Sequence, residues 1–137
     1  MSARERIRAA NAPLSYGAFE VTVGRYPNVP GADELLREIA AAGYEGTELG
    51  PPGYLGDERE LPARLDRHGL ELTGGYVAIR FSEPDRWDED FATMRRSLEL
   101  FGAAGTSETR PVLADAGSPE RHANPGRGAD DRRLGLD

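Results

Sequence analysis

The chain has 137 residues, a formal net charge of -7 at pH 7 and no cysteine. This length corresponds to one domain, and the lack of cysteine excludes disulfides and thiolate metal sites. Because there is no basic stripe and no apolar run near the ~20 residues of a membrane span, we expect a cytoplasmic protein without nucleic-acid or membrane partners.

The first part of the chain predicts a strand, a helix and a second strand. Ile7 to Leu14 is a candidate first strand, and residues 18–30 follow as a loop that contains proline and glycine. Asp33 to Ala42 carries leucine and isoleucine at helical spacing, and the glycine after it is placed to end the helix. Tyr44 to Leu49 predicts the second strand, which ends where the sequence Gly-Pro-Pro-Gly at 50–53 must leave regular structure.

A second helix and a third strand follow in the same alternation. Asp57 to His68 predicts the helix, and Asp57 is placed to cap its first turn. Leu70 to Ile79 contains the third strand, with Gly74 and Gly75 inside it. Two adjacent glycines weaken a strand, so they indicate that another part of the chain approaches the backbone closely.

The third helix has the clearest pattern in the sequence. It is predicted over Asp85 to Ala103, where apolar residues step by three or four positions: Trp87, Phe91, Met94, Leu98 and Phe101. This spacing lines one helix face, which we expect to lie in the core. Arg110 to Ala114 predicts the fourth strand. Residues 116–137 are interpreted as a poorly ordered polar loop or tail, so the domain is expected over residues 1–115.

Alternating strands and helices imply a parallel sheet with right-handed crossovers. Two architectures fit this order, an open doubly wound sheet and part of a closed barrel, and periodicity does not distinguish them. No Gly-x-Gly-x-x-Gly follows a strand, so a dinucleotide site has no support.

Three stretches carry a family resemblance: Asn-Ala-Pro-Leu-Ser-Tyr-Gly at 11–17, Gly-Tyr-Glu-Gly-Thr-Glu-Leu-Gly-Pro-Pro-Gly-Tyr-Leu-Gly at 43–56, and Gly-Leu-Glu-Leu-Thr-Gly-Gly at 69–75. In order and interval they resemble the first three strands of xylose-isomerase-like barrels, inosose dehydratase-like members in particular. The resemblance implies an α/β fold of the (β/α)8 TIM-barrel type. A complete barrel needs about 250 residues, so we expect a chain truncated to about four β/α units, a half barrel.

The resemblance also implies a function. Members of this family isomerise, epimerise or dehydrate sugars, polyols or sugar phosphates by moving a proton next to a carbonyl. Typical members hold a divalent metal (manganese, zinc or cobalt) on later strands, so we expect no metal ligand and little activity in this chain alone. The expected partners are a small sugar or polyol and either a second copy of the chain or the missing C-terminal half.

Ligands of such barrels bind at the C-terminal ends of the strands. Glu48 is the catalytic candidate, because strand periodicity turns it away from the helix side and into the barrel mouth. A carboxylate there could hold a sugar hydroxyl or move a proton, although a solvated or paired surface glutamate fits equally well. The substrate-binding candidates at the same rim are Tyr16, Phe19, Tyr76, Arg80 and Asp115.

Several of these candidates have a structural alternative. Tyr16 and Phe19 could stack on a sugar or simply pack the first loop. Arg80 could clamp a phosphate or carboxylate, but a salt bridge at the rim is the commoner role. Asp115 could be catalytic or a turn former. His68, in the last turn of the second helix, is interpreted as structural.

Two other functions stay open. A non-catalytic half barrel could associate with itself, because its first and last strands would have unpaired edges. Related barrels also include endonucleases for abasic DNA, which the acidic charge of this chain disfavours.

Overall fold

The computed structural model describes residues 7–123, and its strands form one parallel sheet. Strand β1 covers Ala10–Asn11, β2 covers Gly46–Glu48, β3 covers Glu71–Ile79 and β4 covers Gly105–Asp115. The strands lie in the order β1-β2-β3-β4, and each neighbouring pair is parallel. The predicted mixed α/β fold with a parallel sheet is therefore confirmed. A doubly wound sheet reverses its strand order at one point, whereas this order does not reverse and is compatible with part of a barrel wall.

Four helices accompany the strands: α1 over Ala32–Ala41, α2 over Glu60–His68, α3 over Trp87–Ala104 and α4 over Pro119–Ala123. Short 3-10 turns cover Pro13–Tyr16 and Pro84–Arg86. The first three helices lie where the sequence predicts them, with ends that differ by at most three residues. Within 7–123, no helix has the length and apolar character needed to cross a bilayer.

The C-terminal part of the chain differs from its prediction. The short helix α4 lies inside the segment that the sequence predicts to be loop, directly after the fourth strand. Residues 1–6 and 124–137 lie outside the described part of the chain, and so does most of the predicted polar tail.

Strand β1 is much shorter than the predicted strand Ile7 to Leu14. The side-chain oxygen Oδ1 of Asn11 accepts hydrogen bonds from the backbone N–H of Ala12 at 2.8 Å and from the hydroxyl of Ser15 at 2.7 Å. Pro13 then begins a 3-10 turn. The prediction is wrong for residues 7–9, which are not strand, and for residues 12–14, where a local turn closed by the Asn11 side chain replaces the sheet ladder.

The two adjacent glycines of β3 allow the close approach that the sequence indicates. A Cβ atom on Gly74 would collide with the carbonyl oxygen of Arg110 in β4, and one on Gly75 would lie 2.9 Å from Cβ of Leu49. The register between β3 and β4 shifts just before Gly74, and the regular ladder then runs from Gly74 opposite Arg110 to Ile79 opposite Asp115. Glycine at these positions therefore lets the neighbouring strands and α3 come together.

The core lies between the sheet and helices α1, α2 and α3. Its buried side chains are mostly leucines and isoleucines from the helices and from the sheet face that they cover, including Leu35, Leu36, Ile39, Leu61 and Leu72. We call the opposite face of the sheet the open face.

The apolar stripe of α3 is only partly in this core. Phe101 is 7% exposed, but Trp87, Phe91 and Leu98 are 38%, 42% and 43% exposed. The expectation of a buried stripe is therefore wrong for these three residues. Helix α3 turns Asp90 and Phe101 towards the sheet, and the flank that carries the other three is only partly covered.

The loops that follow β1 and β2 are joined to each other. Gly50 has φ +68°, and a Cβ atom there would lie 2.7 Å from Cγ of Pro13. The hydroxyl of Tyr54 donates a hydrogen bond of 2.6 Å to the carbonyl oxygen of Pro30. The two loops therefore form one layer at the C-terminal end of the sheet, where the candidate residues lie.

Candidate functional site

Glu48 is the last residue of β2 and lies between two buried neighbours. Thr47 and Leu49 are 0% and 5% exposed, whereas Glu48 is partly exposed. Leu49 belongs to the core cluster under the helices, so the alternation of a strand directs Glu48 towards the open face. Its carboxylate makes no hydrogen bond or ion pair with residues 7–123. The side chain is thus available to a ligand.

Tyr76 of β3 lies on the same open face. It is 50% exposed and stands opposite Val112 of β4, which is also 50% exposed. The next residue, Val77, is buried on the helix side. An aromatic ring beside an exposed valine is a surface on which the apolar face of a sugar ring can stack, and the phenol adds one polar tip.

The two candidates after β1 differ in their surroundings. Tyr16 ends the 3-10 turn and packs, partly buried, against the core. Phe19 is 38% exposed, and its backbone N–H donates to the hydroxyl of Thr22 at 2.8 Å. The surroundings of Tyr16 therefore favour packing of the first loop over stacking on a sugar, whereas Phe19 has an exposed ring at the rim.

Arg80 follows the last residue of β3 and is held by the first turn of α3. Its Nε donates to both carboxylate oxygens of Asp90, at 3.1 and 3.2 Å, and its Nη2 donates to Asp90 and to Glu89. Its backbone N–H donates to Asp90 as well, at 2.8 Å. The guanidinium of Arg80 holds the pKa of the Asp90 carboxyl below its usual value, and the pKa of Arg80 is raised in return. The salt bridge expected at the rim is thus present.

A second arginine shares this arrangement. Nε and Nη2 of Arg86 donate to the same Glu89 oxygen, at 3.0 and 2.6 Å. These bonds, with those from Arg80, lower the pKa of Glu89. Two guanidinium groups at the carboxyl end of β3 are therefore fixed by two carboxylates of one helix.

Arg80 and Arg86 line a cleft of about 280 Å³ at the carboxyl ends of β3 and β4. Glu83 completes the β3 side, and residues 116–119 with His122 form the β4 side. We call this space the β3–β4 cleft. Nε2 of His122 lies 3.0 Å from the carbonyl oxygen of Ala116, which positions the ring against the turn.

Asp115 does not line this cleft. Its Oδ1 accepts a hydrogen bond of 3.1 Å from the backbone N–H of Gly117. This hydrogen bond is typical of a turn-forming aspartate, one of the two roles that the sequence predicts for Asp115. The turn shapes the start of the β4 side of the cleft.

The sequence reasoning missed Arg86, Asp90 and His122 as parts of a site. Asp90 lies in a run of acidic residues that is typical of a solvated helix start. Its side chain is nevertheless only 9% exposed and forms an ion pair with Arg80. The available signal was an arginine just beyond a strand end, followed by an acidic first helix turn. His68, by contrast, has Nε2 3.2 Å from Oδ1 of Asp33 in α1, and this contact is the main cause of the lowered pKa of the Asp33 carboxyl. These surroundings agree with the structural role that the sequence predicts for His68.

The described residues do not fit a metal centre. No three His, Cys, Asp or Glu side chains within 7–123 converge on one point as metal ligands would. Glu48 therefore belongs to no such group of three among residues 7–123. The chemistry derived from these residues is therefore confined to hydrogen bonding, stacking and proton transfer.

Comparison with known proteins gives one similarity that bears on function. The inosose dehydratase of Geobacillus kaustophilus (strain HTA426) is 28% identical over 102 residues, which cover 74% of this chain and 32% of that protein. The aligned part thus spans about a third of the length of its relative. No protein-family model matches the chain, and no solved structure matches it. The similarity supports the resemblance to xylose-isomerase-like barrels at the level of the superfamily.

Proposed function

We propose that this chain forms part of a sugar- or polyol-modifying enzyme of the xylose-isomerase-like superfamily, and that the open face of its sheet binds the substrate at the carboxyl ends of the strands. The observation that carries the proposal is the similarity to an inosose dehydratase over 102 residues. The parallel sheet, with polar and aromatic side chains on one face, is the architecture that such a function uses.

Glu48 has the properties of a proton-transfer group in this proposal. Its carboxylate lies at the end of β2, is partly exposed and has no partner among the described residues. An ionised carboxylate can accept a proton from the carbon next to a carbonyl, or accept a hydrogen bond from a sugar hydroxyl. Tyr76 supplies the stacking surface on the adjacent strand, and Phe19 supplies a ring at the rim.

The reaction class is isomerisation, epimerisation or dehydration, all of which begin with removal of a proton next to a carbonyl. The divalent metal expected from the family would need ligands from beyond residues 7–123, within which no group of three possible ligands converges. We therefore expect the purified 137-residue chain to bind a polyol or inosose without turning it over.

The test is to measure, by calorimetry and by NMR, whether an inosose and myo-inositol bind to the purified chain. Glu48→Gln and Tyr76→Ala should each weaken binding, whereas Glu99→Gln, an exposed change of the same type on α3, should not. Equal binding by all four proteins, or no binding by any, would contradict the proposal. Metal-dependent turnover by the chain alone would contradict the expected lack of activity.

A second candidate function is a self-associating, non-catalytic half barrel. The outer edge of β4 pairs with no described strand, and Val112 and Leu113 leave about half of their surface exposed on its two faces. An exposed edge strand with apolar side chains is a template for pairing with another chain. Light scattering distinguishes the outcomes, because a stable monomer at high concentration excludes self-association as the function.

A further inference from the structure

We propose that the β3–β4 cleft is a second binding site, separate from the open face, and that it takes the oxyanion group of a small ligand, a phosphate or a carboxylate. The proposal rests on the function proposed above in one respect only, namely that the ligand is a substrate or effector of that enzyme. The recognition itself is argued from the residues that line the cleft.

The described lining carries more cationic than anionic side chains. Among the described residues that line the cleft, Arg80 and Arg86 carry guanidinium groups and Glu83 carries a carboxylate. Asp90 and Glu89 are not part of the lining and hold the arginines from the α3 side.

The two arginines also retain hydrogen-bonding capacity. In each, Nε and Nη2 donate to α3 carboxylates, while Nη1 makes no hydrogen bond with residues 7–123. A guanidinium that is fixed on one side and has free N–H groups on the other is preorganised for an oxyanion, because little side-chain entropy remains to be lost. Several hydrogen bonds to Asp90 and Glu89 hold the Arg80 side chain in one orientation.

The position and size of the cleft fit a small ligand. It lies at the carboxyl ends of two adjacent parallel strands, where loops leave a crevice in folds of this kind. Its volume of about 280 Å³ suits a phosphate or carboxylate with a few carbon atoms. His122 adds an exposed ring on the β4 side, and its Nε2 is held against the carbonyl oxygen of Ala116.

The experiment is calorimetric titration of the purified chain with inorganic phosphate, with sodium acetate and with sodium chloride at matched ionic strength. Arg86→Gln is the test variant, because Arg86 is half exposed and its loss leaves the Arg80–Asp90 contact in place. Arg95→Gln is the matched control: it removes the same charge from an exposed position on α3 outside the cleft. Circular dichroism on each sample establishes that the fold is kept.

We expect phosphate to bind the wild type, and Arg86→Gln to weaken it by about ten-fold, the scale of one charge-assisted hydrogen bond. Arg95→Gln should bind as the wild type does. Acetate binding in place of phosphate would identify a carboxylate ligand and support the same cleft. The proposal is overturned if neither anion binds, if chloride competes equally, or if both variants lose affinity alike.

The same samples separate this proposal from the enzyme function. Inosose binding without any anion binding removes the cleft as a site and leaves the open face in place. Anion binding that Arg86→Gln weakens, without inosose binding to any protein, supports the cleft and removes the open-face proposal.

Discussion

Gly74 and Arg110 lie so close in the sheet that no side chain fits between the backbones of β3 and β4 at this point. The carbonyl oxygen of Arg110 occupies the position that a Cβ atom of residue 74 would need. The register of the two strands changes immediately before this pair. The contact fixes how β4 enters the sheet, and through β4 it fixes the positions of Val112, Asp115 and the cleft.

Gly74→Ala should destabilise the protein because the added methyl group must displace the β4 backbone. We expect a loss of about 1–3 kcal/mol in the free energy of unfolding, the usual scale for overpacking. Gly102→Ala, in the last turn of α3, is the control, since nothing lies within 4 Å of its added Cβ. That change should stabilise the helix by about 0.5–1 kcal/mol. Urea denaturation of both variants checks the pair, and equal effects would argue against the close approach.

Alanine variants of Phe101 and Phe91 test which face of α3 packs against the core. Phe101 is buried in the core, whereas Phe91 on the same helix is 42% exposed. Phe101→Ala should cost about 3–5 kcal/mol, the scale for a large buried aromatic side chain. Phe91→Ala should cost about 1 kcal/mol or less, as surface changes do. Chemical denaturation measures both, and a larger loss from Phe91→Ala would mean that the stripe of α3 is covered.

Asp90→Asn should weaken the link between the end of β3 and α3 in a pH-dependent way. Arg80 lowers the pKa of Asp90 in the folded state, so the ion pair stabilises the fold above the unfolded-state pKa. That stabilisation is lost as the pH falls through the lowered, folded-state pKa. Thermal melting should therefore show a lower Tm for Asp90→Asn at pH 7 and a smaller difference from the wild type near pH 2.

Asp88→Asn is the control for that series. Asp88 is an exposed carboxylate two residues earlier in the same first turn of α3, and no ion pair joins it to the described residues. We expect its melting temperature to follow the wild type across the pH range. If Asp88→Asn lowered the melting temperature as much as Asp90→Asn does, the effect would come from the helix dipole and not from the ion pair with Arg80.

Leu113→Lys should reduce any self-association through the edge of β4. Leu113 is 52% exposed on an unpaired strand edge, and a lysine there both removes apolar surface and introduces repulsion between copies. Val21→Lys, at an exposed site in the first loop, is the matched control. Sedimentation velocity over a range of concentrations measures the change, and identical profiles for both variants would remove β4 as the contact.

Much of the fold is predictable because it depends on local patterns. Helix α1 is marked by the spacing of Leu35 and Ile39, and strands β2 and β3 are marked by short runs between glycine and proline signals. Strand β4 is predicted over Arg110 to Ala114 but begins at Gly105, because residues 105–109 are polar and carry no apolar pattern. The first strand is not predictable from its apolar residues alone, because the Asn11 side chain closes a turn that competes with the ladder. The core position of Phe101 and the exposure of Phe91 also cannot be separated by spacing, since spacing shows that residues share a face but not what covers it.

The candidate site also has one part that local sequence patterns predict and another part that depends on the fold. The open-face position of Glu48 follows from strand alternation with Thr47 and Leu49, and the burial of its neighbours agrees with it. The β3–β4 cleft needs residues 80–86 and 116–122 to meet, which only the fold brings about. Asp90 shows why such contacts are missed, because a buried carboxylate with an arginine partner and a solvated one have the same sequence signature.

The contact between Pro13 and Gly50 couples two parts of the chain that are 37 positions apart. Together with the hydrogen bond from Tyr54 to Pro30, it makes the loops after β1 and β2 a single mechanical unit. An insertion or deletion in one loop would displace the other, so the lengths of these loops cannot change independently during evolution. Their backbone amides should also exchange hydrogen with solvent in a common opening event, and Phe19 would move with Tyr54 whenever that layer opens.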